Sequence, residues 1–145
     1  MNADALQFHG HSADHWLRVR TTGDDEARWE AIDAIRHICV PTVSMPLFLD
    51  TLANDSYWRS RALAAHAIYD LAWESEFQPL VAGSMPALIK ALEDASSEVL
   101  EQIIVTLELL RSAAAPALES LRRIAAGEDT KLASLANAAV QAIDS

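Results

Sequence analysis

The chain has 145 residues, 51% apolar and 22% charged, which suits one domain with a buried core and argues against wholesale disorder. Only four Gly and five Pro argue against a turn-rich β-sandwich, and a single Cys excludes an internal disulfide or a zinc site made of several cysteines. The formal net charge of −10 disfavours nucleic acid and anionic membranes as partners and favours a basic or mixed-charge protein.

The start of the chain is predicted to be a polar lead-in over 1–13, followed by a single domain over 14–145. The lead-in lacks the basic start and apolar run of a secretory signal, and no segment has about 18 uninterrupted apolar residues, as a membrane-spanning helix would need. Together with the lone Cys39, this favours a reducing, cytoplasmic setting. A histidine cluster spans the end of the lead-in and the start of the domain, and it is either incidental or a loose metal chelator: His9, His11 and His15.

Four longer segments then carry the apolar i, i+4, i+8 spacing of an amphipathic helix. These segments are 25–39, 58–72, 97–111 and 130–144. Their apolar stripes superpose without gaps. In the third segment the stripe contains Val99, Ile103 and Leu107, and the Leu107 position is taken in the others by Ile35, Ile68 and Ile143.

A shorter apolar segment precedes each long one, and an acidic turn separates the two. Three of the shorter segments open with a proline, which favours the first position of a helix: Pro46, Pro86 and Pro116. Asp and Ser in the turns are suited to cap the following helix. The repeating unit is therefore a short helix, an acidic turn and a long helix, over approximately 14–39, 44–73, 79–112 and 114–144.

No such unit can bury its apolar stripe alone, whereas stacked neighbours bury a continuous one. The sequence therefore predicts an all-α protein. We expect a right-handed α-solenoid of about four two-helix repeats, with the long helices side by side in one layer and the short helices in the other.

These repeats resemble HEAT repeats, in the variety also seen in phycobilisome-lyase-like proteins. The closest resemblance is in 85–99, which is similar to a first helix, a turn and the entry of a second helix. HEAT repeats often carry an Arg one place after the core Val, paired with turn Asp residues. This Arg is matched by Arg28 and Arg61 but replaced by Leu100 and Ala136. The resemblance implies a curved scaffold that binds proteins.

Residues off the core stripe are expected to point outward from the long helices, where an apolar middle with an acidic rim would suit a basic or amphipathic segment. The alternative is an ordinary surface with scattered apolar residues. Of the four tryptophans, Trp29 is the best surface anchor, and Trp16, Trp58 and Trp73 are expected to pack structurally. The candidate partner-binding residues are Trp29, Glu30, Leu63, Tyr69, Glu101, Val105, Glu108 and Leu109.

Two His and two carboxylates are predicted to meet crosswise on neighbouring long helices. Asp33 and His37 are four residues apart on the first, and His66 and Asp70 are four apart on the second. Imidazole and carboxylate are ligands for zinc or iron, so the four residues are a candidate metal site. The alternative is a crossed set of ion pairs between the helices.

Catalytic signatures such as a Gly-rich phosphate loop, a Gly-x-Ser-x-Gly elbow or a His-Glu-x-x-His helix do not occur in the sequence. Cys39, at the apolar side of a helix end, is expected to be a buried structural thiol. The predicted function is a non-enzymatic scaffold without a cofactor, binding a protein or peptide. The alternatives are a metal- or ligand-binding protein and, by resemblance alone, a lyase-like subunit acting on a protein-bound chromophore.

Overall fold

The computed structural model describes residues 6–145, so the first five residues of the predicted lead-in lie outside the described part of the chain. Within that part the regular structure is helical apart from one short hairpin, which confirms the all-α prediction. None of the helices there is long and apolar enough to cross a membrane. The chain divides within one helix into two compact units, a first unit ending at Ala64 and a second unit over 65–145.

The first unit begins with a hairpin in what the sequence suggested was an irregular lead-in. Its strands pair antiparallel, with Phe8 opposite His11. The turn residues His9 and Gly10 both have positive φ, as two-residue hairpin turns favour. The unit's elements are β1 (Gln7–Phe8), β2 (His11–Ser12), α1 (Ala13–Thr22), α2 (Asp25–Ile38), α3 (Pro41–Asn54) and the first part of α4 (Trp58–Ala72).

Local capping starts α2 where the acidic turn predicted it. The Asp24 side chain accepts a hydrogen bond from the Ala27 backbone N–H at 2.9 Å. By contrast, α3 begins at Pro41, earlier than the predicted start at Pro46, which lies inside the helix. Pro46 has no N–H and removes one helical hydrogen bond, but the burial of Met45 and other residues of this helix stabilises it through that position.

The second unit contains the long helices of the third and fourth predicted repeats. α7 lies against α9, α8 also packs on α9, and α6 contacts α7. Pro86 is in the first turn of α6 as predicted, whereas Pro116 lies in a 3-10 segment that precedes α8. The unit's elements are the rest of α4, α5 (Gln78–Ala82), α6 (Met85–Ala91), α7 (Ser97–Leu110), the 3-10 segment (Arg111–Ala117), α8 (Leu118–Ala125) and α9 (Thr130–Asp144).

The middle of the predicted core stripe is buried in each long helix. Leu107 is fully buried, and so are the residues at its position in the other long helices, Ile35, Ile68 and Ile143. The stripe of α9 is shifted, because Ala136 is buried while the predicted Leu135 is half-buried. α9 contacts α7, α8 and the 3-10 segment, so a broad face of this helix is covered, and the small Ala136 permits close approach.

Candidate partner-binding surface

All eight candidate partner-binding residues are half-buried, so none belongs to the core and none is fully solvated. The two units contain separate groups of them. The first unit holds Trp29, Glu30 and Leu63, and the second holds Tyr69, Glu101, Val105, Glu108 and Leu109.

Four of the second-unit residues form one face of α7, which we call the α7 stripe. Glu101, Val105, Glu108 and Leu109 are spaced i, i+4, i+7 and i+8, which places them on one side of a helix. The helix buries the opposite side, which includes Leu107. The α7 stripe therefore places two apolar side chains beside two carboxylates on a half-exposed surface.

Contacts with two neighbouring helices lie beside the α7 stripe. Lys131 of α9 places its Nζ 2.7 Å from Glu101 Oε1, and this pairing raises the pKa of Lys131. Next to the stripe, Gln102 Oε1 lies 3.2 Å from Nδ1 of His66 on α4. Glu101 is thus paired within the protein. Of the two carboxylates that the sequence predicted to form an acidic rim, Glu108 is therefore the better candidate to meet a basic partner.

An aromatic ladder continues from His66 along α4 in the second unit. The ring centroids of His66 and Tyr69 are 6.1 Å apart, and the Trp73 ring meets Tyr69 edge-on at 6.0 Å. Trp73 is 61% exposed, so the expectation of structural packing is wrong for this residue. This exposure could have been expected from its position immediately after the predicted end of a helix and beside the charged Glu74.

The other three tryptophans also differ in how far they are exposed. Trp16 is 4% exposed, which confirms its predicted place in the core. Trp58 is 41% exposed, and its ring centroid lies 5.5 Å from the guanidinium carbon of Arg59, so its packing against a neighbouring turn stays a prediction. Trp29 is half-buried, as a surface anchor would be.

The hairpin covers part of α2 that the sequence suggested was open. The Phe8 ring stacks on the His37 ring with centroids 5.0 Å apart, and His9 Nδ1 lies 3.8 Å from Glu30 Oε1. Sequence periodicity did not reveal these two contacts, because residues 7–12 carry no helical pattern and the contacts on α2 join residues more than 20 positions apart. The surface around Glu30 is therefore shared with the chain's own N-terminal segment.

The four candidate metal ligands form two pairs, one in each unit. His37 Nδ1 lies 2.6 Å from the Asp33 backbone oxygen and 3.6 Å from Asp33 Oδ1, which also accepts a hydrogen bond from Arg36. His66 Nε2 lies 3.6 Å from Asp70 Oδ2. Among residues 6–145, no group of three or more His, Cys, Asp or Glu side chains is arranged to hold a metal ion. The metal site stays a prediction.

Two arginines that match the HEAT pattern converge on one aspartate in the first unit. Arg28 donates from Nε and Nη2 to the two carboxylate oxygens of Asp55, both at 3.1 Å, and Arg61 donates to the Asp55 backbone oxygen at 2.9 Å. The hydrogen bonds to Asp55 and Asp25 raise the pKa of Arg28. The Asp55 side chain is only 6% exposed, so this network is a structural anchor rather than a binding site.

Cys39 is half-buried at the end of α2, and desolvation raises the pKa of its thiol. A raised pKa disfavours the thiolate, which is the nucleophilic form, so this cysteine is suited to packing. Comparison of the chain with models of known protein families and with curated proteins gives no match.

Proposed function

We propose that this protein is a non-enzymatic, HEAT-like scaffold of the cytoplasm that binds a protein or peptide on the exposed faces of its long helices. The observation that carries the proposal is the α7 stripe, where Val105 and Leu109 are half-exposed beside Glu108 on the side opposite the core. Apolar side chains in such a position gain free energy when a partner removes them from water.

The chemistry of the stripe favours a partner with apolar anchors and adjacent Lys or Arg. Central apolar and aromatic residues contribute most of the binding energy of an interface, and charges at the rim steer encounter. Tyr69 and the exposed Trp73 extend the apolar area on α4, beside the carboxylate of Asp70. An amphipathic basic helix combines both requirements in one segment.

The repeat architecture supports the scaffold part of the proposal. In the second unit, α7 and α9 are neighbours, and each is in contact with a shorter helix, as stacked two-helix repeats require. In the first unit, Arg28 and Arg61 pair with Asp55 in the manner that the HEAT resemblance implies. We propose a right-handed solenoid of about four repeats, which the repeat pattern of the sequence and the resemblance to HEAT repeats imply.

The experiment compares two variants of equal charge in quantitative pull-downs. The double variant Val105→Asp, Leu109→Asp changes the α7 stripe. Lys90→Glu changes an exposed residue of α6. Both take the formal net charge from −10 to −12, so a non-specific charge effect is the same in the two preparations. Circular dichroism confirms that both remain folded. We expect partners of the unmodified protein to be retained by Lys90→Glu and lost by the double variant.

Surface plasmon resonance on a recovered partner then separates the two contributions. Leu109→Ala should mainly raise the dissociation rate, because a packed anchor is lost. Glu108→Gln should mainly lower the association rate and its dependence on salt. Binding that survives the double variant but disappears in Lys90→Glu would place the interface on the short helices and reject the proposal.

A further inference from the structure

Two histidines of the hairpin region are stacked beside a buried tryptophan. The rings of His11 and His15 are nearly parallel, at 15°, with centroids 3.8 Å apart. The Trp16 ring meets both edge-on, at 5.7 Å from His11 and 4.8 Å from His15. Its Nε1–H donates a hydrogen bond to the Phe8 backbone oxygen at 3.0 Å, which connects α1 to the first strand.

We propose that this histidine stack is a pH-sensitive latch, which holds the N-terminal hairpin against α1 and α2 at neutral pH and releases it at mildly acidic pH. Neutral imidazoles stack favourably on one another and on an indole edge. Protonation of both rings would place two positive charges at a separation of 3.8 Å, where they repel. Histidine is the residue whose charge changes in this pH range.

Desolvation, His11 and Arg18 act on His15 in the direction that favours release in acid, whereas the His9–Glu30 contact would favour closure, because a charged imidazole attracts a carboxylate. Desolvation, followed by the influence of His11 and Arg18, lowers the pKa of His15, and Glu30 of α2 partly opposes this. A lowered pKa means that the closed state takes up fewer protons than the open one. The contribution of His15 to closure is therefore present above its ordinary pKa of about 6.5 and lost as the pH falls through that value.

Release of the hairpin would uncover a defined part of the first unit. Trp16, which is 4% exposed, would lose the shielding of Phe8 and His11. On α2, His37 would lose the Phe8 ring, and Glu30 would lose its contact with His9. Access of a partner to this part of α2 is a consequence that depends on the proposed function, whereas the latch itself does not.

The experiment follows the exposure of Trp16 in the full chain between pH 7.5 and about pH 5. Trp29, Trp58 and Trp73 are replaced by Phe, so that Trp16 is the only tryptophan, and acrylamide quenching measures its accessibility. We expect quenching to rise severalfold in acid while the far-ultraviolet circular dichroism of the helices is retained. Indole Nε1–H resonances of the unmodified protein give the same information without the three substitutions.

The matched control replaces His11 and His15 by Phe in the same background, which keeps two aromatic rings and removes their protons. In this control Trp16 should stay shielded at both pH values. Glu30→Gln, which removes the opposing carboxylate, should move the release to higher pH. The latch is rejected if Trp16 stays shielded in acid, if the control opens at the same pH, or if the exposure coincides with loss of helix.

Discussion

Both units have an apolar core, but the ion pairs that join their helices differ in exposure. The arginines of these pairs are largely buried in the first unit, whereas Arg122 and Lys131 in the second unit are exposed. Arg20 of α1 reaches Asp50 of α3 at 2.7 Å, and Arg28 of α2 reaches Asp55 just beyond α3. In the second unit, α7 and α9 are in contact, Leu107 of α7 and Ala136 and Ala139 of α9 are buried, and the ion pair of Arg122 with Asp144 is exposed.

This difference shows what each type of contact requires of the sequence. An apolar stripe is a property of one helix and is readable from about 15 consecutive residues. A pair such as Arg28 and Asp55 joins residues 27 positions apart, and only the packing of two elements brings them together. Changes at Leu107, Asp55 and Asp50, and the addition of metal ions, should affect stability in decreasing order.

The core of the second unit should be the most sensitive region. We expect Leu107→Ala to lower the free energy of unfolding by about 2–5 kcal/mol, because it removes a fully buried side chain and leaves a cavity. Urea denaturation measures this loss. The exposed Ala138→Ser on α9 is the control, and a loss below about 0.5 kcal/mol for Leu107→Ala would show that the residue does not contribute to the core.

The anchor of the first unit should be the next most sensitive. Asp55→Ala removes the two hydrogen bonds that Arg28 donates to this carboxylate and the one that the Tyr57 backbone N–H donates to it. The groups involved are largely hidden from water. We expect a loss of about 1–3 kcal/mol, because hydrogen bonds to charged groups contribute that much. A double-mutant cycle with Arg28→Ala measures the coupling. Asp25→Asn, which changes the exposed partner of Arg28, is the control and should have little effect.

The ion pair of Arg20 on α1 with Asp50 on α3 should contribute less to the free energy of unfolding, because the Asp50 side chain is half-exposed. Hydrogen bonds from Arg20 and Asn54 lower the pKa of Asp50. Its contribution is therefore complete above the ordinary aspartate pKa of about 3.9 and is lost as the pH falls below that value. We expect Asp50→Asn to lower the free energy of unfolding by less than about 1 kcal/mol at pH 7. An unchanged difference between variant and parent at pH 7 and in strong acid would contradict this assignment.

The smallest effect is expected from metal ions. The Asp33 carboxylate accepts a hydrogen bond from Arg36, and His66 contacts Gln102, so these side chains already have protein partners. We expect zinc or iron(II) to leave the melting temperature unchanged. A metal-dependent rise that disappears in Asp33→Ala with His66→Ala would instead establish the metal site, since binding stabilises the native state by mass action.

The sequence alone determined the four long helices and most of their buried faces. The long segments predicted over 25–39, 58–72, 97–111 and 130–144 correspond to α2, α4, α7 and α9 within one residue at either end. The physical reason is local, because apolar spacing and capping groups act within a few turns of one helix. The burial of Leu107 and the spacing of the α7 stripe could be predicted for the same reason.

Only the tertiary structure decided how side chains distant in the sequence meet. It placed the hairpin on α2, exposed Trp73, paired Glu101 with Lys131, and buried Ala136 in place of Leu135. Each outcome depends on which helices become neighbours and how closely their backbones approach. The periodicity of one helix gives the direction of a side chain but not what lies opposite it, so these contacts required the folded structure.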